Sequence, residues 1–322
     1  MSALVPQLPM QAELGELPTG AEVMRAMLDL RLTGPGRSGL HAAMWRALTA
    51  TAEAMGLVVE LVQQLWEEEQ MPREWCCGLL KILPKKGDLT QPGNYRGIVL
   101  LEVAYKVVAR ILASRLARLH AELGDDEQQH GFVKKRGCVD ASFVLLQALR
   151  KRREHGLESW VLFLDLVKAF ESVPHWVLVE AARLKGYPIA LLKLSIAAYR
   201  LARSIGVDGV YSRLIVANRG ITAGSGFATS ELRVLMLDLI FALQARWANI
   251  IIVKVYVDDL TLSVTGLPQV IIRELSRAID FAVHVLEDAM LMKVSAKKSK
   301  IVASKPSIAP NRLHSPYHLS TE

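Results

Sequence analysis

Asp258 and Asp259 stand side by side in VYVDDLTL, residues 255–262, a stretch whose other residues are those of a buried strand. A buried carboxylate without a partner is costly, so two adjacent ones need a cation or must lose their charge. Asp-Asp pairs are common at hairpin turns, where both side chains face water or bond their own backbone. The apolar flanks KVYV and LTLSV argue against that reading here. A third acid, Asp165, ends another apolar run, WVLFLDL at 160–166. If the strands are neighbours, three carboxylates meet at one end of a sheet. No His or Cys ligand lies nearby in sequence, which points to a hard cation with oxygen ligands. Mg²⁺ or Mn²⁺ fits, because such ions keep waters and accept substrate phosphates. Two of them roughly 3.5 to 4 Å apart activate an attacking hydroxyl and stabilise a leaving pyrophosphate oxygen.

The elements that must position these acids follow from hydrophobic spacing. The pattern predicts a helix within 41–70, ended by Met71-Pro72, then a strand, a basic loop with Pro and Gly, and a second strand over 75–101, read as a hairpin. Apolar residues at three- and four-residue intervals predict an amphipathic helix over 101–123, and further helices are expected at 139–155, after Pro174, at 227–246 and at 268–290. IIIVKVYVDDLTLSV reads as two strands around a tight turn, and KKSKIVA as a basic strand. Strands scattered among helices imply an α+β fold, a small mostly antiparallel sheet packed on helices. Residues 1–38, with the breaker cluster RLTGPGRSG, read as a flexible tail, and the prolines and polar residues of 306–322 as another.

With 322 residues and 51% hydrophobic content the chain has ample material for a core. Cys76, Cys77 and Cys138 provide neither a disulfide framework nor zinc spacing, and no HExxH occurs. No apolar run approaches the roughly 18 residues of a membrane span, and the N-terminus lacks signal-peptide character, so a soluble intracellular protein with no membrane partner is expected. The net charge of +7 is clustered in blocks: Lys85 and Lys86, Lys134 to Arg136, Arg150 to Arg153, and KKSK at 297–300. Each has the alternative of a solvated helix face; together they favour a polyanion.

YVDD at 256–259 resembles the signature of reverse transcriptases, and FLDLVKAFESV at 163–173 resembles the same family's upstream acidic motif. Further segments fall in family order. NYRGIVLL resembles the fingers motif, QHGFVKKRGCVDA a segment typical of non-long-terminal-repeat retrotransposons, GITAGSGFA the template-and-nucleotide loop, and AKKSKIV the lysine motif after the palm. The resemblance covers 72–303.

It implies polymerase fingers at 39–159 and palm at 160–305, with the thumb largely absent. By resemblance, Asp165 and Asp258 are the principal metal ligands, and Asp259 the third acid, aiding metal binding or hairpin geometry. Phe170 stands where the family keeps an aromatic that excludes a ribose 2′-hydroxyl; Glu171 replaces the more frequent Asp, capping a helix or serving chemistry. Arg96 and one of Lys85 or Lys86 would meet the incoming triphosphate. Gly224 and Ser225, with Gly226, would let backbone approach a base pair, although Ala223 replaces the usual Gln. Lys298 would lie near the pyrophosphate, with Lys297 and Lys300 as competitors and Ser295 in place of the usual Asn. Lys134, Lys135, Arg136, Arg150, Lys151, Arg152 and Arg153 would track template phosphates. The implied activity is RNA-directed DNA polymerisation from an RNA template, a DNA primer and deoxynucleoside triphosphates, with Mg²⁺ or Mn²⁺. Nuclear residence is implied by the resemblance alone. The alternatives are a degenerate or repurposed palm that binds nucleic acid without catalysis, and an RNA-templated RNA polymerase, which Phe170 disfavours.

Overall fold

The computed structural model describes residues 9–72, 75, 77–123, 128–131, 133, 136–207, 210–222, 225–304 and 320–321. Its first helix, α1 (Gly20–Leu28), starts at a capping box in which the Thr19 hydroxyl accepts the Glu22 N–H and the Glu22 carboxylate accepts the Thr19 N–H. Val23, Ala26 and Met27 on α1 are buried. The expectation of a flexible tail is therefore corrected over this part: two turns of amphipathic helix between Gly- and Pro-rich flanks are too short to stand out as periodicity. The single helix expected within 41–70 is two, α2 (Ala42–Ala47) and α3 (Ala52–Glu68), because Thr51 breaks the run and recaps it by accepting the Ala54 N–H.

There follow β1 (Cys77–Pro84), β2 (Tyr95–Leu100), α4 (Val103–Leu123), α5 (Cys138–Glu154), β3 (Glu158–Leu164), the single turn α6 (Ala169–Ser172), α7 (His175–Leu184) and α8 (Ile189–Tyr199). Next come β4 (Ala202–Val207), β5 (Val210–Tyr211), α9 (Ala228–Arg246), β6 (Ile251–Tyr256), β7 (Asp259–Gly266), α10 (Pro268–His284), β8 (Lys300–Ala303) and β9 (Ser320–Thr321). Pro268 opens α10 where its missing N–H has no bond to make, and the helix runs on into a π-helical turn, Val285–Ala289.

The chain divides into two compact units that are not consecutive stretches. One takes in His120–Val177 and Leu232–Glu322, the other Leu8–Leu119 and Leu178–Glu231, so the expected division into 39–159 and 160–305 does not follow the contacts. The class is α+β with small sheets packed on helices, two of them where one was expected. The sheet of the second unit has the order β2-β1-β4-β5. Its β1–β2 pair is the expected hairpin, and β4 joins parallel to β1, pairing Cys77 with Ala202 through Lys81 with Gly206.

The sheet of the first unit has the order β6-β7-β3-β8-β9. The register aligns Val253, Leu262, Leu162 and Ile301 in one row across four strands, all buried. α10 packs on β3 and β7 with Ile271, Leu275, Ala278 and Ile279 buried. Burying each Leu, Ile or Val contributes about 1.5–3 kcal/mol, so this row fixes the register firmly. A slip of one residue would turn every one of these side chains to the opposite face.

Candidate active site

That register sets the acids. β3 and β7 oppose Leu164 to Leu260, so Asp165, just after Leu164, and Asp259, just before Leu260, come to the same end of the sheet. Tyr256 pairs with Asp259, which leaves Val257 and Asp258 as a two-residue turn between β6 and β7. Val257 takes φ +66°, a conformation that tight hairpins usually give to glycine. Holding a β-branched residue there costs on the order of 1–3 kcal/mol.

Asp165 is fixed by the segment that leads into β8. Its N–H donates to the Ser299 hydroxyl at 3.1 Å, its carbonyl oxygen accepts the Ser295 N–H at 2.8 Å, and Ser299 is fully buried. The Lys298 Nζ lies 3.0 Å from Asp165 Oδ2 while the lysine side chain stays 68% exposed. Ser299 was not singled out in the sequence; its signal was a small polar residue at the step from the basic run into an apolar strand.

The electrostatics are those of excess negative charge. Burial, then Asp259, then Asp165 and Glu171 push Asp258 up to about 6. Burial and Asp165 raise Asp259 as well, with Lys298 opposing. Reverse transcriptases generally use divalent metal ions, and the donor set here can be tested against one. Among the described residues no three His, Cys, Asp or Glu side chains gather tightly enough to enclose an ion by themselves. Mg²⁺ does not require that: it is usually held by one or two carboxylates, with waters and substrate phosphates completing the octahedron. Acids at one sheet end, where Asp165 raises the pKa of both hairpin acids and Lys298 is the cation shown beside them, fit an ion of this kind.

The other anticipated residues divide by unit. In the first unit, Phe170 is half-buried on α6 and Glu171 exposed beside it. Arg150 is exposed and paired with Glu154 at 3.2 Å; with Arg153, Leu146, Leu149 and Leu157 it lines a cavity of about 670 Å³. Burial lowers the pKa of Arg152. Lys151, whose carbonyl meets the His155 ring at 2.7 Å, and Arg136 have exposed side chains. Lys134 and Lys135 lie outside the described residues.

In the second unit, Lys85 and Lys86 are exposed where the β1–β2 loop begins, and the Lys85 N–H closes the loop on the Asn94 carbonyl at 2.7 Å. Arg96 sits opposite Leu83 in the hairpin, its side chain outside the described set. Ser225 is buried, its hydroxyl 2.9 Å from that of Tyr105, so it belongs to the core as much as to any loop surface. Ala223 and Gly224 lie outside the described residues. No helix among the described residues is long and apolar enough to cross a membrane.

Comparison with known proteins accords with this geometry. The family model described as reverse transcriptase (RNA-dependent DNA polymerase) matches residues 83–309. A retrovirus-related Pol polyprotein from the type-1 retrotransposable element R2 of Popillia japonica is 26% identical over 231 residues, 70% of this chain and 30% of its own length. The corresponding polyprotein of Nasonia vitripennis is 24% identical over 218 residues, 67% of this chain and 20% of its own length. The transposon TX1 149 kDa protein of Xenopus laevis is 32% identical over 139 residues, 38% of this chain and 11% of its own length. The chain thus spans less than a third of each of these relatives. The family match covers most of the chain, including all three acids, and the chain belongs to the reverse transcriptase family.

Proposed function

We propose that this chain carries out RNA-directed DNA polymerisation, adding deoxynucleoside triphosphates to the 3′-hydroxyl of a primer on an RNA template. The observation that carries the reading is the meeting of Asp165 with the hairpin acids at one sheet end, with Asp258 pushed up to about 6 and Lys298 as the nearby cation. Asp165 and Asp258 would present oxygens to Mg²⁺ or Mn²⁺, with Asp259 adding a third carboxylate. When bound, such ions supply activation of the primer hydroxyl and stabilisation of charge on the leaving pyrophosphate.

The chain's own residues do the rest. Ser299 and Ser295 hold Asp165 by its backbone, so its carboxylate meets the substrate in one place. Lys298 stands where it can leave Asp165 for a phosphate oxygen, or hand a proton to the departing group. Phe170 on α6 would face the sugar and exclude a 2′-hydroxyl. Lys85 or Lys86, together with Arg96, would bind the triphosphate, Gly224 and Ser225 would lie along the nucleotide, and Arg136 with the basic end of α5 would follow the template backbone.

Primer extension on a primed RNA template with Mg²⁺, comparing deoxynucleotides with ribonucleotides, tests the reading. Incorporation that is strong in wild type and absent in Asp258→Ala supports it; equal incorporation in the two removes the mechanism. Salt-sensitive RNA binding with no incorporation would instead favour a palm that binds without catalysing, the reading to which Ala223 in place of Gln points.

A further inference from the structure

The strained turn that carries Asp258 has a neighbour whose part in the family's chemistry was not assigned from the sequence. Residues 128–131 lie along the free edge of β6 as a short parallel bridge between Gln129 and Val255. The Val255 N–H donates to the Gln128 carbonyl at 2.9 Å, and the His130 N–H donates to the Val255 carbonyl at 2.9 Å. This bridge carries the Gln129 side chain to the turn. Its Oε1 accepts the N–H of Val257 and the N–H of Gly131, both at 2.9 Å, and Gln129 is 1% exposed. One amide oxygen therefore ties the residue at φ +66° to the chain beside it.

Gly131 completes the clamp. A Cβ built on it would come within 2.5 Å of Val257 Cγ2 and 2.7 Å of the Val257 nitrogen, the second of which is backbone that cannot turn aside. Only glycine lets the segment rest this closely on the hairpin. A left-handed β-branched residue persists only where its surroundings over-determine it, and here the determinants are a buried double acceptor and a backbone contact. Val257 immediately precedes Asp258, so its φ and ψ set the direction in which the Asp258 carboxylate leaves the turn.

We infer that Gln129 and Gly131 are positioning residues for Asp258: they hold Val257 left-handed and thereby aim the carboxylate at the reacting phosphates. The effect on turnover rests on the polymerase reading given above, whereas the clamp on the turn rests on geometry alone, and the two are tested separately in the full 322-residue chain.

The first measurement is amide hydrogen exchange at Val257 by NMR on the metal-free protein. Gln129→Leu, which removes the acceptor, should speed exchange at Val257 by about tenfold or more while leaving the Leu262 amide unchanged. Gln129→Glu, which keeps an acceptor of the same length, should preserve protection. Unchanged protection of Val257 in a folded Gln129→Leu overturns the clamp. Should that variant not fold, Gly131→Ala replaces it, with faster exchange expected and wild-type protection overturning.

The second measurement is single-nucleotide incorporation. Gln129→Leu should lower kcat by roughly tenfold to a hundredfold with little change in nucleotide KM, as expected of a misaimed group rather than a lost binding contact. Val257→Gly relieves the need to hold an L-residue at positive φ, so added to Gln129→Leu it should recover most of that loss. A double variant no better than Gln129→Leu alone overturns the inference, because a general loss of stability would not be repaired by a second cavity. If wild type incorporates nothing, the polymerase reading fails while the exchange result still decides the clamp.

Discussion

Two carboxylates in this chain, the buried Glu231 and the half-buried Asp258, are lifted to about 6, and their surroundings answer them in opposite ways. Glu231 on α9 is fully buried in the second unit, where burial raises it and hydroxyl groups of Ser195, Tyr199 and Tyr187 pull it back; the Tyr187 hydroxyl donates to it at 2.7 Å. Asp258, in the first unit, is raised by burial and then raised again by Asp259, Asp165 and Glu171. Around Glu231 the fold has supplied donors. Around Asp258 it has supplied more acid. A displaced pKa by itself therefore does not mark a site of chemistry: structural networks displace pKa values too. What separates the two is that one charge is met by donors from within, while the other is set among further acids and left for something outside the chain.

The sharpest way to break that comparison is to delete each acid in turn. Asp258→Ala should lower templated incorporation on the order of a thousandfold or more, the loss expected when charge stabilisation worth several kcal/mol is removed from a transfer step. Calorimetry should show Mn²⁺ binding weakened in parallel. In wild type the same binding should fade as pH drops through about 6, because protons then compete for the Asp258 carboxylate. Asp258→Asn should, without metal at pH 7.5, melt at or above the wild-type temperature, since a carboxylate raised in the folded state is a charge the fold holds at a cost. Glu231 variants should leave Mn²⁺ binding unaltered; a shared loss would erase the distinction.

Next in size is the stability of the Glu231 network. Glu231→Leu leaves the Tyr187 hydroxyl without its acceptor and should cost about 1–3 kcal/mol at any pH below that of tyrosine ionisation. The pH dependence has a definite sign. The folded-state pKa of Glu231 is raised from 4.5 to about 6, so between those values the native chain holds more protons than the unfolded one. Its contribution to stability is thus greatest below about 4.5, falls as pH rises through about 6, and is flat above. Glu231→Gln should remove that slope from a urea-denaturation series measured on metal-free protein. An unchanged slope would mean that the hydroxyls already keep Glu231 near its ordinary pKa.

How much of this was legible beforehand depends on the range of the interactions. Asp165 and the hairpin acids were readable because each sits in its own apolar run and the runs follow one another in a recognisable order. The interleaved units were not, since they are decided by contacts between distant segments, while α1 and the division at Thr51 rest on local caps within stretches too short to stand out as periodicity. Glu231 gave no signal because Tyr187, Ser195 and Tyr199 lie far from it in sequence and meet it only in the folded second unit. Gln129 was visible as part of a motif, yet its job required knowing that residues 128–131 pair with Val255 and that Val257 is left-handed. The parallel pairing of β4 with β1 is of the same kind: nothing within AYRLARSIGV names its partner.

The smallest expected effect tests the cation rather than the acids. Lys298 reaches Asp165 at 3.0 Å from a largely exposed position, and exposed pairs contribute only about 0–1 kcal/mol, so Lys298→Gln should scarcely move the melting temperature. If the lysine exists to offset charge on substrate, the same variant should lower kcat for incorporation by roughly tenfold to a hundredfold. Lys297→Gln, one residue earlier and also exposed, should leave kcat unchanged. A loss of stability without a loss of rate would make Lys298 a partner that merely holds Asp165. The first unit would then resemble the second more closely, with its negative charge in part answered from within.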